Sequence, residues 1–282
     1  MKPRFFIFVL SLFTFASCEM IVKVDVPEVP SKLVVTSFIS PQDTIWRVYV
    51  GQTEPVFSKK PSSSQLMNAT IQMSDGSQTV TFPTDNSTGY YDLNIKQAPF
   101  TIQAGKTYYL TVKTVDGRQV KAQCTIPTTI VGITEVEITN NSNSFEPFRA
   151  NIKWQDNAQE NNFYRCFSYT KNYDNLAGGA IESYQQNFNY SLIMQKDTEK
   201  QGSSFSWRFD ATQSRGYTDG KSRFLFILLN TDEAYFRYMT TRETASYSEG
   251  NPFAEPSPVY SNVEGGLGVF AGYQQYRVEV TK

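Results

Sequence analysis

Ala69-Thr70-Ile71-Gln72-Met73-Ser74-Asp75-Gly76-Ser77-Gln78-Thr79-Val80-Thr81-Phe82 is the stretch whose reading decides the fold. Apolar side chains alternate with polar ones at Ala69, Ile71 and Met73, and again at Val80 and Phe82. A period of two sends one set of side chains to one face of an extended strand. Asp75-Gly76 between two such runs is a strong hairpin signal, because tight hairpin turns favour residues that tolerate positive φ. The paired strands then carry one apolar face, and that face needs a second sheet to cover it.

The pattern extends in both directions. Leu33 to Ile39 reads as a strand closed by Ser40-Pro41, and Ile45 to Val50 alternates Trp46, Val48 and Val50 up to Gly51. Tyr91, Leu93 and Ile95 make another strand. Ala104-Gly105-Lys106 turns into Tyr108, Leu110 and Val112, and Asp116-Gly117 turns into Val120, Ala122, Cys124 and Ile126. Seven short strands at regular turn spacing predict an immunoglobulin-like β-sandwich over residues 32–127. Pro127-Thr128-Thr129 breaks the pattern and sets a domain boundary. Between Val50 and Asn68, two prolines and Ser62-Ser63-Ser64 read as a polar surface loop.

Residues 130–282 read as a second β-rich domain. Ile130 to Thr139, Phe148 to Trp154, Asn162 to Tyr169, Phe188 to Met194 and Ser204 to Phe209 are its strand candidates. Arg223 to Leu229 is denser in apolar residues and predicts a strand buried on both faces. The period then changes. Asn230-Thr231-Asp232-Glu233 has the spacing of a capping box, and Tyr235, Tyr238, Met239 and Arg242 fall on one helical face. A helix over about 231–248 is expected, with its aromatic stripe against the sheet. The expected class is mainly β: an N-terminal sandwich, then a β-rich domain carrying one α-helix.

Composition narrows the chemistry. A chain of 282 residues exceeds the roughly 100–200 residues of one typical domain, so two domains are expected. The formal net charge is −1, and no basic stripe marks a nucleic-acid surface. There is no histidine in the sequence. This excludes Ser-His-Asp and Cys-His nucleophile systems, imidazole zinc sites and histidine-held heme. No metal or other cofactor is expected. Asp210, Asp219, Glu255 and Glu264 are the acids from which a carboxylate-based hydrolase would have to be built, which requires a pair facing each other across a cleft. Cys124 and Cys166 are expected as two buried free thiols on separate strands.

The N-terminus carries an address. Met1-Lys2-Pro3-Arg4 is basic, Phe5 to Phe15 is an apolar run broken by Ser11 and Thr14, and Ala16-Ser17 are small. That is the order of an export signal, and its apolar run is shorter than the ~20 residues a membrane-spanning helix needs. Cys18 follows the small pair directly, as in a lipoprotein signal. The expectation is cleavage after residue 17 and acylation of Cys18, with residues 18–31 as a tether. The acyl chains then bind the membrane at about 0.8 kcal/mol per buried CH₂.

The C-terminal part holds the most distinctive stretch of the mature chain: Asn251-Pro252-Phe253, Glu255-Pro256, then Val259-Tyr260-Ser261-Asn262-Val263-Glu264-Gly265-Gly266-Leu267-Gly268-Val269-Phe270. The spacing of Gly265, Gly266 and Gly268 is neither a phosphate-binding loop nor a dinucleotide fingerprint. It reads as a tight connection where the backbone passes close to a neighbour. This stretch, the Tyr-rich helix before it and the Lys32-Leu33-Val34-Val35 opening resemble the Bacteroidota lipoprotein family catalogued as domain of unknown function 4249. The resemblance runs from Cys18 to the C-terminus. It implies a lipid-anchored outer-membrane protein, on the cell surface or the periplasmic face. It also implies a TonB-dependent outer-membrane receptor as partner, a role in nutrient capture, and no established catalytic residue.

Two further readings stand beside an accessory protein of that kind. Tyr184, Phe188 and Tyr190, or Tyr164 and Tyr169, can form an aromatic platform for a glycan or a peptide. The remote alternative is the carboxylate-based hydrolase.

Overall fold

Period-two patterning governs most of the chain, and the structure follows it. A computed structural model describes residues 30–54, 66–84, 89–176, 179–187, 194–197, 201–248, 255 and 257–282. The export signal, Cys18, nearly all of the tether and most of the polar loop after Val50 lie outside the described residues. So do Phe188, Tyr190, Asn251, Pro252 and Pro256.

The strands in the N-terminal half are β1 (Leu33–Ile39), β2 (Ile45–Gln52), β3 (Thr70–Ser74), β4 (Thr79–Thr81), β5 (Tyr90–Asn94), β6 (Thr107–Lys113) and β7 (Gln119–Thr125). Then come β8 (Ile133–Asn140), β9 (Phe148–Gln155), β10 (Phe163–Leu176), β11 (Gly179–Gln186), β12 (Met194–Lys196), β13 (Ser204–Ala211) and β14 (Arg223–Thr231). Helix α1 (Glu233–Ser248) and a long last strand, β15 (Leu267–Thr281), complete the fold. The fold is mainly β with one α-helix among the described residues.

The first seven strands make a sandwich. β1-β2-β5 lie side by side in one sheet and β4-β3-β6-β7 in another. Trp46, Val48, Ile71, Met73, Tyr91, Tyr108, Leu110 and Val112 fill the space between them. The Tyr108 hydroxyl donates to Thr101 O at 3.0 Å and accepts from Gln103 N at 2.7 Å. A tyrosine tied back to the chain before its own strand is the corner that marks immunoglobulin-like sandwiches.

A second core lies beyond Pro127. β13-β9-β8 face β10, β14 and the far half of β15 across Trp154, Tyr164, Phe209, Phe224, Phe226 and Leu228. The expected boundary at 127–130 thus separates two cores, but it does not separate two sheets. β15 pairs parallel to β1 from Val34↔Leu267 to Ile39↔Gly272, then antiparallel to β14 from Thr231↔Tyr273 to Arg223↔Thr281. It fuses both halves into one eight-stranded sheet, and Ser31–Lys282 forms one compact unit. Val263 and Phe270 belong to the first core although they follow residue 130.

The helix begins two residues later than the spacing predicts. Asp232, not Asn230, is its cap: the Asp232 carboxylate accepts from Tyr235 N at 2.8 Å. Its other oxygen accepts from Gly272 N at 2.8 Å, which ties the start of α1 to β15. Asn230 is buried and instead donates to Thr129 O and to Asn162 Oδ1. Burial pushes the Asp232 carboxyl up to about 7. Cys124 and Cys166 are free and buried, and burial raises both thiols.

Candidate functional site

The large sheet has a covered face and an open face. On β14, Phe224, Phe226 and Leu228 point into the second core, so Leu225, Ile227 and Leu229 point the other way. On β15 the same alternation sends Val278 and Val280 inward and Tyr273, Gln275, Arg277 and Glu279 outward. On β10 it sends Tyr164 and Cys166 inward and Phe167, Tyr169 and Lys171 outward. Helix α1 covers one end of this outer face, where Tyr235 and Met239 pack on Leu229, Val269 and Ala271. Past the helix no element among the described residues covers the face. Leu225 and Ile227 are half-buried, so the strand expected to be buried on both faces is enclosed on one.

The uncovered face forms a groove of three adjoining lobes. The first, of about 260 Å³, lies beside α1 between Phe38, Phe167, Leu229, Tyr235 and Tyr273. It shares Tyr169 and Ile227 with a second lobe of about 390 Å³, lined by Tyr184, Leu225, Arg277 and Glu279. A third lobe of about 530 Å³ opens on the other side of Arg277, against Gln42, Asp43, Thr44, Ile45 and Gln275. The floor is therefore aromatic and aliphatic in the first lobe and hydrogen-bonding in the third, which shares Gln275 with it.

The charges of the face are placed by named partners. Lys171 bridges to Glu182 at 3.0 Å and to Glu279 at 3.4 Å, and this holds it protonated well above the usual lysine range. Arg165 donates to the Tyr235 hydroxyl at 2.7 Å and lies over the Phe167 ring at 4.5 Å, which closes the helix end. Arg277 is exposed and donates from Nε to Gln275 Oε1 at 3.1 Å. Among the described residues no carboxylate lies within ion-pair distance of it. Asp43 accepts from the Tyr273 hydroxyl at 2.7 Å and from Ser40 N at 2.8 Å. Burial raises the Asp43 carboxyl despite those bonds, and burial together with Asp43 raises the Tyr273 phenol.

Of the expected aromatic platform, Tyr184 is 46% exposed and lines the second lobe, as does Tyr169. Tyr164 is fully buried, donates to Asp156 Oδ1 at 2.5 Å and offers no binding surface. The acids considered for hydrolysis are not gathered in the groove. Asp210 is held by Arg149 and Asp219 by Arg223, and each pairing lowers the carboxyl below the usual range. Glu264 is exposed and serves a backbone bridge to Lys121. Glu255 is exposed and lies outside strand and helix.

The glycine-rich stretch is structural. Gly268 has φ +113°, and a Cβ there would sit 1.9 Å from Val35 O. At Gly266 a Cβ would meet Leu33 O at 2.7 Å. Both glycines let β15 start flush against β1. Glu264 N donates to Lys121 O at 2.8 Å, which ties the segment before Gly265 to β7.

Sequence reasoning missed Arg277, Gln275, Asp43 and the strand β11 that carries Tyr184. The findable signal was the outward alternation Tyr273, Gln275, Arg277, Glu279, which is polar where a buried strand would be apolar.

Among the described residues no helix is long and apolar enough to cross a membrane, and no cluster of three His, Cys, Asp or Glu side chains could hold a metal ion. A family model described as Domain of unknown function (DUF4249) matches residues 19–279. No curated protein matches the chain.

Proposed function

The chain belongs to the DUF4249 family, and from that premise we propose that it is a lipid-anchored outer-membrane binding protein that captures a ligand in its sheet-face groove for a TonB-dependent transporter. The observation that carries the reading is the groove itself. A sheet built to bury apolar side chains leaves Leu225, Ile227 and Tyr169 half-buried and Tyr184 exposed beside an exposed arginine. Concave sites of mixed apolar lining with a few convergent polar groups are where small ligands bind.

The export run and Cys18 support the anchor, since a lipidated N-terminus holds such a site at a membrane surface. The family resemblance supports the transporter. A binding role suits the acids of the chain, because Asp210 and Asp219 are each committed to an arginine and an acid–base pair needs two carboxyls of separated pKa across one cleft.

The test is gentle detergent extraction of cells carrying the full chain, followed by crosslinking and purification. The expected result is a large β-barrel protein recovered with it, and release into the soluble fraction on Cys18→Ala. A monodisperse monomer with no barrel partner would count against the transporter. Unchanged membrane attachment of the Cys18→Ala variant would count against the anchor.

A further inference from the structure

We propose that the groove takes an acidic oligosaccharide, its carboxylate forked by Arg277 and its sugar rings laid on Tyr169 and Tyr184. The inference rests on the capture role proposed above and names the class of ligand.

Charge complementarity is the first argument. The basic side chains around this face are otherwise occupied: Lys171 by two glutamates, Arg223 by Asp219, Arg47 by Asp92 and Arg165 by the Tyr235 hydroxyl. Arg277 donates through Nε to the neutral Gln275 side chain, has no ion-pair partner among the described residues, and lines both the second and the third lobe. An exposed guanidinium with no carboxylate partner among the described residues is suited to fork a ligand carboxylate.

The second argument is the lining. A small aromatic acid would use Arg277 and the tyrosines and leave the third lobe empty. That lobe is lined by Gln42, Asp43, Thr44 and Gln275, whose side chains keep hydrogen-bonding capacity beyond the internal bonds they make. Amide, carboxyl and hydroxyl groups set along an open channel match a run of sugar hydroxyls, each of which both donates and accepts. A peptide strand would instead seek an unpaired sheet edge, and the groove lies on a sheet face between paired strands. Rings at the opposite end supply flat apolar faces for the sugar C–H surfaces.

The experiment is a glycan array carrying uronate-containing, sialate-containing and neutral oligosaccharides, probed with the mature chain and with Arg277→Gln and Tyr184→Ala. Fluorescence titration with the best oligosaccharide follows, and thermal melts confirm that each variant folds. Binding to acidic glycans is expected. Arg277→Gln should weaken it about tenfold or more, in line with loss of a charge-assisted pair. Tyr184→Ala should weaken it while preserving the preference for acidic over neutral chains. Equal binding of neutral chains, or a folded Arg277→Gln protein that binds as before, overturns the inference. So does a blank array from a protein that still co-purifies with its transporter, and that result leaves the capture role standing. Acidic-glycan binding without any barrel partner supports the inference and removes the transporter.

Discussion

Asn262 pairs with Phe270 through its side chain as one strand pairs with the next. Its Oδ1 accepts from Phe270 N at 3.0 Å and its Nδ2 donates to Phe270 O at 2.8 Å. A second bond from Nδ2 reaches Gln123 O at 3.2 Å, so one amide spans from β15 to β7. It satisfies both backbone groups of a fully buried phenylalanine at the place where the two sandwich sheets come together.

Replacing Asn262 by Ala leaves the Phe270 amide and carbonyl unpaired by that side chain. The expected loss is about 1–3 kcal/mol of unfolding free energy. Asn262→Asp keeps the acceptor for Phe270 N but sets carboxylate oxygen against two carbonyls, and is expected to lose at least as much. Urea denaturation of both variants checks this. A midpoint within error of the wild type for Asn262→Ala would show that water replaces the amide without cost.

Two glycines of similar φ separate strain from crowding. Gly117 has φ +88° with open space around it, while Gly268 has φ +113° with Val35 O in the way. Gly117→Ala is expected to cost about 1–2 kcal/mol from the left-handed backbone alone. Gly268→Ala must also push β1 and β15 apart, and is expected to cost more than about 4 kcal/mol or to prevent soluble expression. Thermal melts of the pair check the contrast, and equal melting temperatures would refute it.

The two glycines also mark what sequence can say. Gly117 follows an aspartate between two alternating runs, a pattern that announces a hairpin by itself. Gly268 announces a close approach without saying to what, because its neighbour lies some two hundred residues upstream, in β1. Most strands, the seven-strand sandwich and the helix were legible for the first reason, since each is a local pattern, while β11 was missed. The parallel pairing of β1 with β15 was not, because it joins strands more than two hundred residues apart that no local pattern relates. The groove was hidden for a related reason. Leu225 and Ile227 look the same in sequence whether a helix covers them or not, and of the three Leu229 is buried in the cluster under α1 while Ile227 packs at its margin. Tyr164 and Tyr169 share one strand but face opposite ways, so composition named both and the pleat chose between them.

The thiols give a direct check on the two cores. Cys124 sits in the first and Cys166 in the second, each enclosed by apolar neighbours that disfavour the thiolate. A thiol that is both inaccessible and un-ionised is inert. Maleimide treatment of native protein, followed by peptide mass spectrometry, should label neither residue, and both should label in denaturant. Labelling of Cys166 alone under native conditions would mean that the second core opens independently of the first.

Asp232 links the stability of the helix junction to pH. Burial lifts its carboxyl from the ordinary 3.8 to about 7, although the helix start and two backbone amides favour the anion. Between roughly pH 4 and 7 the folded chain therefore holds a proton that the unfolded chain has lost. More protons bound in the folded state make unfolding easier as pH rises, so stability should fall across that window, by about 4 kcal/mol at most. Asp43, also raised by burial, adds a slope of the same sign. Asp232→Asn imitates the protonated acid. Its amide nitrogen then faces one of the two backbone N–H groups from which the carboxyl oxygens accept, so it should be less stable than the wild type by about 1–3 kcal/mol near pH 4.5, and the gap should narrow towards pH 8 because the variant lacks the Asp232 slope. Urea unfolding at half-unit steps from pH 4 to 8 measures both slopes, and parallel slopes for the two proteins would mean that Asp232 is ionised in the folded state throughout.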